Sequence, residues 1–205
     1  MSNDTQMHGN TTAGKDYTSS LLNRQSVWWK RWLDVQAPYR WHVNHLQPGF
    51  VLDVGCGIGR NLLHLKGHGI GVDHNISSVT LCRQRGLIAF TLAEFETSGY
   101  NMAGRFDSIL LAHVAEHMTR WELSKLIKQY LHLLKPGGRF IIITPQEAGY
   151  QSDNTHVEFM DFSKIEAVLN DFDLPIYKQY SFPFPRLVGK FFKYNEFVTV
   201  ALKQA

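Results

Sequence analysis

The run of residues 51–59, VLDVGCGIG, constrains this chain more than any other feature. Apolar, β-type residues at its start are followed by glycines at alternate positions, and a helical pattern begins directly after Gly59. Glycine is needed where a tight turn demands unusual backbone dihedrals or where a ligand approaches the main chain closely. The run therefore predicts a buried strand, a tight turn and a helix start, which is the context that gives a glycine-rich motif meaning.

A second short strand, predicted at residues 69–73, ends in the carboxylate of Asp73. Asp73 lies 18 residues after Gly55 (73 − 55). That separation is close to the spacing of about 20 at which an acid hydrogen-bonds a ribose in nucleotide-binding βαβ units. The two strands together predict that the chain binds an adenosine-containing cofactor.

The glycine spacing separates this motif from two other nucleotide-binding motifs. In a dinucleotide fingerprint, G-x-G-x-x-G, the third glycine would fall on Arg60, but the chain has its glycine one residue earlier, at Gly59. A P-loop needs Gly-Lys-Ser/Thr after its glycines, and that sequence does not follow here.

The motif D-x-G-x-G-x-G, with an acid closing the next strand, resembles motif I of the class I S-adenosylmethionine-dependent methyltransferases. Residues 106–111 (FDSILL) resemble the fourth strand of that family, and residues 133–140 (LLKPGGRF) resemble the turn before its fifth strand. The resemblance covers roughly residues 48–145 in the correct order. It implies S-adenosyl-L-methionine as the cofactor. A Rossmann-like domain that binds another ligand is the alternative.

Composition limits the possible partners and location. The chain of 205 residues is long enough for one α/β domain with an N-terminal extension, and its net charge is only +3. No basic run exceeds Lys30-Arg31, so a nucleic-acid partner is not expected. Cys56 and Cys82 suggest neither a disulfide framework nor zinc spacing. The first residues contain no apolar targeting segment, and no later stretch is apolar for long enough to insert into a membrane. We therefore expect a cytoplasmic protein; the sequence does not indicate its oligomeric state.

The order of predicted elements indicates an α/β fold. We expect a Rossmann-like, doubly wound, seven-stranded and mostly parallel sheet with an antiparallel closing strand. The predicted organisation is a disordered tail at residues 1–16, an N-terminal helical lid at 17–47 and the cofactor-binding domain at 48–205. Helices are predicted at 20–35, 39–46, 77–85, 120–134 and 162–170, and later strands at 70–73, 87–91, 106–112, 138–144, 176–182 and 197–202. Thr119 followed by Glu122 predicts a capping box at a helix start.

The family resemblance implies a role for each residue of the cofactor site. The glycine turn and its preceding acid would line the methionine portion and the ribose edge, Asp73 would accept hydrogen bonds from the ribose hydroxyls, and His74 would pack along the adenine. After the third strand the family offers an acid and an apolar residue to the adenine, and Ala112 and His113 would lie beside the sulfonium. The implied contacts are Asp53, Gly55, Cys56, Gly57, Gly59, Asp73, His74, Glu94, Phe95, Ala112 and His113.

Histidines and carboxylates at the expected active edge favour oxygen as the acceptor, because a hydroxyl must lose its proton. The predicted catalytic residues are His113, His156 and Glu116, with either histidine as the general base or in a structural role. Residues 113–117 (HVAEH) match an H-x-x-E-H zinc peptidase pattern, but they fall in a strand-to-helix turn, which argues against a peptidase.

The same segment resembles the E-x-x-E-H stretch of ubiquinone-pathway O-methyltransferases, whose acids and histidine have been linked to a divalent metal. His113 stands where that pattern has its first acid. Loop orientation through hydrogen bonds is the alternative, and no metal is predicted. His156 lies in a segment that resembles the H-V-x-F loop that closes over the acceptor in small-molecule methyltransferases.

These observations predict S-adenosylmethionine-dependent methylation of a small molecule, with oxygen as the acceptor atom. N- or C-methylation of a small molecule and a non-catalytic cofactor-binding protein are the alternatives. The aromatic, proline-containing segment 180–186 is expected to form an apolar acceptor wall with Arg186 available for an acidic group, and a plain edge-strand corner is the alternative. Trp28, Trp29 and Trp32 are expected in core and lid packing.

Overall fold

A computed structural model describes residues 36–204 of the protein. The predicted tail at 1–16, the predicted helix at 20–35 and the three tryptophans at 28, 29 and 32 lie outside the described residues. Most of the predicted lid lies there too, so the proposed division into domains stays a prediction.

One seven-stranded sheet organises the described chain, with strand order β3-β2-β1-β4-β5-β7-β6. Strands β1 to β5 pair in parallel, and β7 runs antiparallel to both β5 and β6. This confirms the predicted mostly parallel sheet with an antiparallel last strand. The strands are β1 Val51–Val54, β2 Gly69–Val72, β3 Ala89–Phe90, β4 Phe106–Ala112, β5 Leu134–Pro145, β6 Ile176–Phe182 and β7 Glu196–Leu202.

Helices connect the strands. They are α1 Ala37–His45, α2 Arg60–His64, α3 Ile76–Gln84, α4 Leu92–Glu96, α5 Arg120–Tyr130, α6 Glu147–Tyr150 and α7 Phe162–Asn170. Short 3₁₀ turns cover Ala115–His117, Leu131–Leu133 and Arg186–Lys190. Among the described helices, none has the length and apolar character needed to cross a membrane.

Several element boundaries differ from the sequence-based expectation. Helix α5 ends at Tyr130 instead of 134, and β5 begins at Leu134 instead of 138, because Leu134 already pairs with Phe106 across the sheet. Strand β3 is shorter than expected. Leu87 is held at the end of α3 by a bond from its N–H to the carbonyl of Cys82, and Thr91 already caps α4.

Alternate residues of the central strands face opposite layers of the core. On one face, Leu52 of β1 belongs to the cluster formed with Leu123 of α5 and Ile165 of α7. On the other face, Val51 belongs to the cluster that includes Val43 of α1. Because helices cover both faces of the sheet, we expect a ligand to bind at the edge beyond the carboxyl ends of the strands.

The predicted capping box at the start of α5 is present. The Thr119 side chain accepts a hydrogen bond from the Glu122 N–H, and the Glu122 carboxylate accepts one from the Thr119 N–H. We expect Thr119→Ala to lower the free energy of unfolding by about 1 kcal/mol, because an orphan helix N–H loses its acceptor. Urea denaturation measures this change. Thr119→Ser is the matched control and should retain most of the stability; an equal loss in both variants would contradict the capping role.

Candidate functional site

The glycine turn joins β1 to α2 and is tightly enclosed. Gly55 and Gly59 have φ of 72° and 77°, in the left-handed region. A Cβ atom on Gly55 would lie 2.5 Å from Cγ2 of Val114, and one on Gly59 would lie 2.4 Å from Cδ1 of Leu87. Both backbone conformation and lack of space therefore require glycine at these two positions. The turn sits beside the carboxyl end of β2, where the Gly55 N–H donates to the Val72 carbonyl at 2.8 Å.

Asp73, directly after β2, fixes the position of this turn. Its Oδ2 accepts a hydrogen bond from the Gly57 N–H at 2.7 Å, and its Oδ1 accepts one from the Asn75 N–H at 2.8 Å. A carboxylate offers about four lone-pair sites, so both oxygens can still accept from a diol. His74 lies beside it, with Nδ1 3.6 Å from Oδ1 and its side chain half-exposed.

Asp53 provides a test of whether a cationic cofactor fits here. It lies in β1 with 1% of its surface exposed, and neither carboxylate oxygen has a hydrogen-bond partner among the described residues. Burial, and to a smaller extent the nearby charge of Asp73, raises the pKa of Asp53 to about 7. An unpaired buried carboxylate is costly unless a cation or donor meets it. A ligand with an ammonium or sulfonium group satisfies that requirement, so the residues present fit S-adenosylmethionine.

Cys56 belongs to the same turn, as expected. Its thiol donates to the carbonyl of Gly57 at 3.7 Å, and the thiol of Cys82 from α3 donates to the same carbonyl at 3.3 Å. Helix α3 therefore contacts the turn through the side chain of Cys82, which the sequence analysis did not assign to the site.

Glu94 and Phe95, the two predicted adenine contacts, are both engaged in other interactions. The Glu94 carboxylate caps its own helix by accepting from the Thr91 N–H and also receives Arg83 at 2.7 Å. The hydrogen bond from Arg83, with those from Thr91, lowers the pKa of Glu94 to about 2. Phe95 is buried in the core, with its ring 6.0 Å from that of Tyr130. The adenine roles of Glu94 and Phe95 stay predictions, and the positions of both side chains disfavour these roles.

At the end of β4, Ala112 is half-buried and His113 adopts a left-handed conformation with φ of 59°. The His113 ring lies between two carboxylates: Nδ1 is 3.2 Å from Oε1 of Glu116, and Nε2 is 2.9 Å from Oε1 of Glu196. Burial lowers the pKa of His113, but the hydrogen bonds and charges of the two glutamates outweigh it and raise that pKa to about 10. At neutral pH the ring is a cation with both nitrogens donating, so it has no lone pair to accept a proton.

Glu196, the first residue of β7, is the partner that sequence reasoning missed. It is 83 residues away from His113 in the chain, and no local motif marks it. Only the pairing of β7 with β5 brings its side chain to the end of β4.

A second histidine group lies on the other side of Glu116. The His117 Nδ1–H donates to the carbonyl of Thr155 at 3.2 Å, and the His156 Nδ1–H donates to the carbonyl of Tyr150 at 2.6 Å. The two imidazole centroids are 4.8 Å apart. The loop that carries His156 is docked on the turn after β4, because the Val157 N–H donates to the Glu116 carbonyl at 2.7 Å. The predicted catalytic residues His113, Glu116 and His156 are thus neighbours.

Helix α1 and strand β6 form an aromatic wall near this edge. Nε2 of His42 is 2.5 Å from the Tyr180 hydroxyl, and the His42 ring stacks on Phe182 at 4.0 Å. Burial lowers the pKa of His42 to about 4, so this ring is neutral. Arg186 was expected to be available for an acidic group of the acceptor. Its Nη1 instead donates to Glu147 at 2.8 Å.

Comparison with known proteins decides the family. A family described as "Methyltransferase domain" matches residues 23–179, most of the chain. The chain belongs to this methyltransferase family. It is an enzyme with S-adenosylmethionine as its cofactor, in agreement with the open carboxylate of Asp53 and the turn held by Asp73. No protein of curated function matches the methyltransferase in sequence.

Solved structures share the fold of the methyltransferase at low sequence identity. A SAM-dependent methyltransferase from Archaeoglobus fulgidus has a TM-score of 0.65 at 17% identity, covering 85% of this chain and 97% of the other. Magnesium protoporphyrin IX methyltransferase from Synechocystis PCC 6803, with bound SAH, has a TM-score of 0.64 at 17% identity, covering 95% and 100%. Burkholderia thailandensis 1,6-didemethyltoxoflavin-N1-methyltransferase has a TM-score of 0.59 at 20% identity, covering 93% and 86%.

The charged state of His113 is directly measurable. We expect NMR titration to find its ring still protonated at pH 8, and Glu196→Gln to lower its pKa because one of two stabilising charges is removed. Since the folded pKa lies above the ordinary value, the charged ring stabilises the protein fully below about pH 6.5 and loses this effect as the pH rises toward 10. His132, exposed beyond α5, is the internal reference. A His113 pKa near 6.5 in both proteins would contradict the pairing.

Proposed function

We propose that this methyltransferase transfers a methyl group from S-adenosylmethionine to a hydroxyl oxygen of a small molecule. The observation that carries the proposal is the state of His156: its Nδ1–H is used by the Tyr150 carbonyl, which leaves Nε2 with a lone pair at the active edge. The names of two structural neighbours give small-molecule acceptors, magnesium protoporphyrin IX and 1,6-didemethyltoxoflavin, and so support a small molecule as the acceptor.

The chain's own residues hold and orient the cofactor in this proposal. Asp73 accepts from the ribose hydroxyls, the glycine turn admits the methionine portion, and Asp53 faces the positive charge. When bound, S-adenosylmethionine supplies an electrophilic methyl group on a sulfonium. Ala112 has a small side chain and leaves space at the end of β4. His74 lies beside the turn, where its ring would pack along the adenine.

The three predicted catalytic residues take different roles. His156 accepts the proton of the acceptor hydroxyl at Nε2 and is the general base. His113 and Glu116 act as a pair. Glu116 and Glu196 accept the N–H groups of the His113 cation and so fix the position of its ring beside the reacting atoms. The His42–Tyr180 pair and Phe182 provide an aromatic wall that excludes water from an apolar acceptor.

Cofactor binding is tested by calorimetric titration with S-adenosylhomocysteine. We expect wild-type protein to bind at micromolar concentration and Asp73→Ala to bind about 10–100-fold more weakly, since hydrogen bonds to a charged acceptor contribute about 1.5–3 kcal/mol. Asp171→Ala, which removes an exposed carboxylate paired with Arg120, is the control and should bind as wild type.

Because Asp73 also holds the Gly57 N–H, each variant is first checked for a wild-type unfolding temperature. Asp73→Asn, which keeps the size of the side chain, separates a folding defect from loss of the charged acceptor. Equal affinity of wild type and both Asp73 variants would overturn the ribose role.

The base is tested by replacing His156 once a hydroxyl acceptor has been found by screening with labelled cofactor. We expect His156→Gln to lower kcat about 10²–10⁴-fold, the usual contribution of a positioned base, with little change in cofactor affinity. His132→Gln is the matched control. Turnover unchanged in His156→Gln would favour the N- or C-methyltransferase alternative, in which alignment is sufficient and no base is required.

Two further expectations complete the proposal. A cytoplasmic location and the absence of a nucleic-acid partner stay predictions from charge and composition. Binding to RNA that weakens steeply as salt rises would contradict the second.

A further inference from the structure

Glu116, His117 and His156 converge from two separate segments of the chain. Glu116 and His117 lie in the 3₁₀ turn after β4, and His156 lies in the loop between α6 and α7. One potential ligand atom from each of the three residues lies within 4.8 Å of the others. Their convergence goes beyond what methyl transfer by a single histidine base requires.

The hydrogen bonds of the two histidines determine which nitrogen is available. A carbonyl oxygen can only accept, so the bonds to Thr155 and Tyr150 require a proton on Nδ1 of each ring. In the neutral tautomer each Nε2 then carries a lone pair. An imidazole whose other N–H donates to a backbone carbonyl is the arrangement found in metal-ligating histidines, because it fixes the tautomer and the ring orientation.

Glu116 supplies the matching anionic oxygen. Its side chain is 1% exposed; Oε1 is 3.2 Å from His113, whereas Oε2 is buried without a hydrogen-bond partner in the described chain. A buried carboxylate oxygen without a partner is costly, and a metal ion removes that cost. Two imidazoles and one carboxylate form a ligand set that suits zinc and other divalent transition metals and disfavours magnesium.

We propose that Glu116, His117 and His156 form a binding site for a divalent transition-metal ion of the zinc type, and that its occupation inhibits methyl transfer. The three ligand atoms all lie within 4.8 Å of one another, so a common centre exists within about 2.8 Å of each; zinc bonds are about 2.0–2.2 Å, so each ligand moves inward by less than about 1 Å. His113 is not a ligand, because both of its nitrogens donate to carboxylates. The inhibition follows because the ion uses the lone pair with which His156 accepts the proton; this part rests on the proposed function, whereas metal binding does not.

Calorimetric titration of the full chain, stripped with a chelator and free of cofactor, with zinc chloride tests the site. We expect one zinc ion per chain at micromolar concentration or tighter, and at least about 10–100-fold weaker binding in His117→Gln and in His156→Gln. His132→Gln is the matched control and should titrate as wild type. Cobalt(II) should give a visible absorption band in wild type that both ligand variants lose, a signature that a purely structural role would not produce.

Several results would overturn the site. These are no zinc binding by wild type, or zinc binding and a cobalt spectrum that are the same in wild type and both ligand variants. Unfolding temperatures near that of wild type show that a variant is folded; a variant that does not fold is replaced by the corresponding His→Asn change.

Activity separates the second part of the proposal from the first. With the hydroxyl acceptor, excess zinc should lower the turnover of wild type, a chelator should restore it, and His117→Gln should be active and insensitive to zinc. Zinc that binds but does not inhibit would overturn the inhibitory role and leave the site. Zinc binding is read on the free protein, so loss of S-adenosylhomocysteine affinity in Asp73→Ala does not affect it.

Discussion

The hydrogen bond between the Asp73 carboxylate and the Gly57 N–H is the interaction on which the active edge depends. It ties the turn after β1 to the end of β2, and the same carboxylate holds the Asn75 N–H at the start of α3. Since β1 and β2 are parallel and in register, their carboxyl ends are adjacent, and one buried side chain can serve both. Gly55 and Gly59 keep this turn in place at positive φ, and a Cβ atom there would strain the backbone and meet Val114 or Leu87.

Buried negative charge distinguishes this edge from the rest of a nearly neutral chain. Asp53 and Asp73 lie below 10% exposure, as do Glu116 and Glu196. Asp73 accepts two backbone N–H bonds, and the last two carboxylates hold the His113 ring between them. Both oxygens of Asp53 are without a hydrogen-bond partner in the described part of the chain, so this carboxylate depends on a ligand for compensation, which a positively charged cofactor supplies.

Hydrogen bonding and burial assign three chemical states to four histidines near the site. His113 donates from both nitrogens to carboxylates and is a cation. His42 is buried against Tyr180 and Phe182 and is neutral. His117 and His156 donate from Nδ1 to carbonyls, which leaves a lone pair on Nε2 of each neutral ring. By residue type the four rings are equivalent. Their partners make His113 a cation, His42 part of the aromatic wall, and His117 and His156 rings that each have a lone pair on Nε2.

The sequence by itself determined the glycine turn, the acid that closes β2, the capping box of α5 and the mostly parallel sheet. These features depend on neighbours within a few residues or on the order of elements, so local patterns report them. Tertiary structure alone decided that Glu196 reaches His113 and that His156 meets His117. The physical reason is that protonation and ligand geometry depend on partners that only strand pairing and loop docking bring together, such as β7 beside β5, and a linear sequence contains no local signal for such contacts.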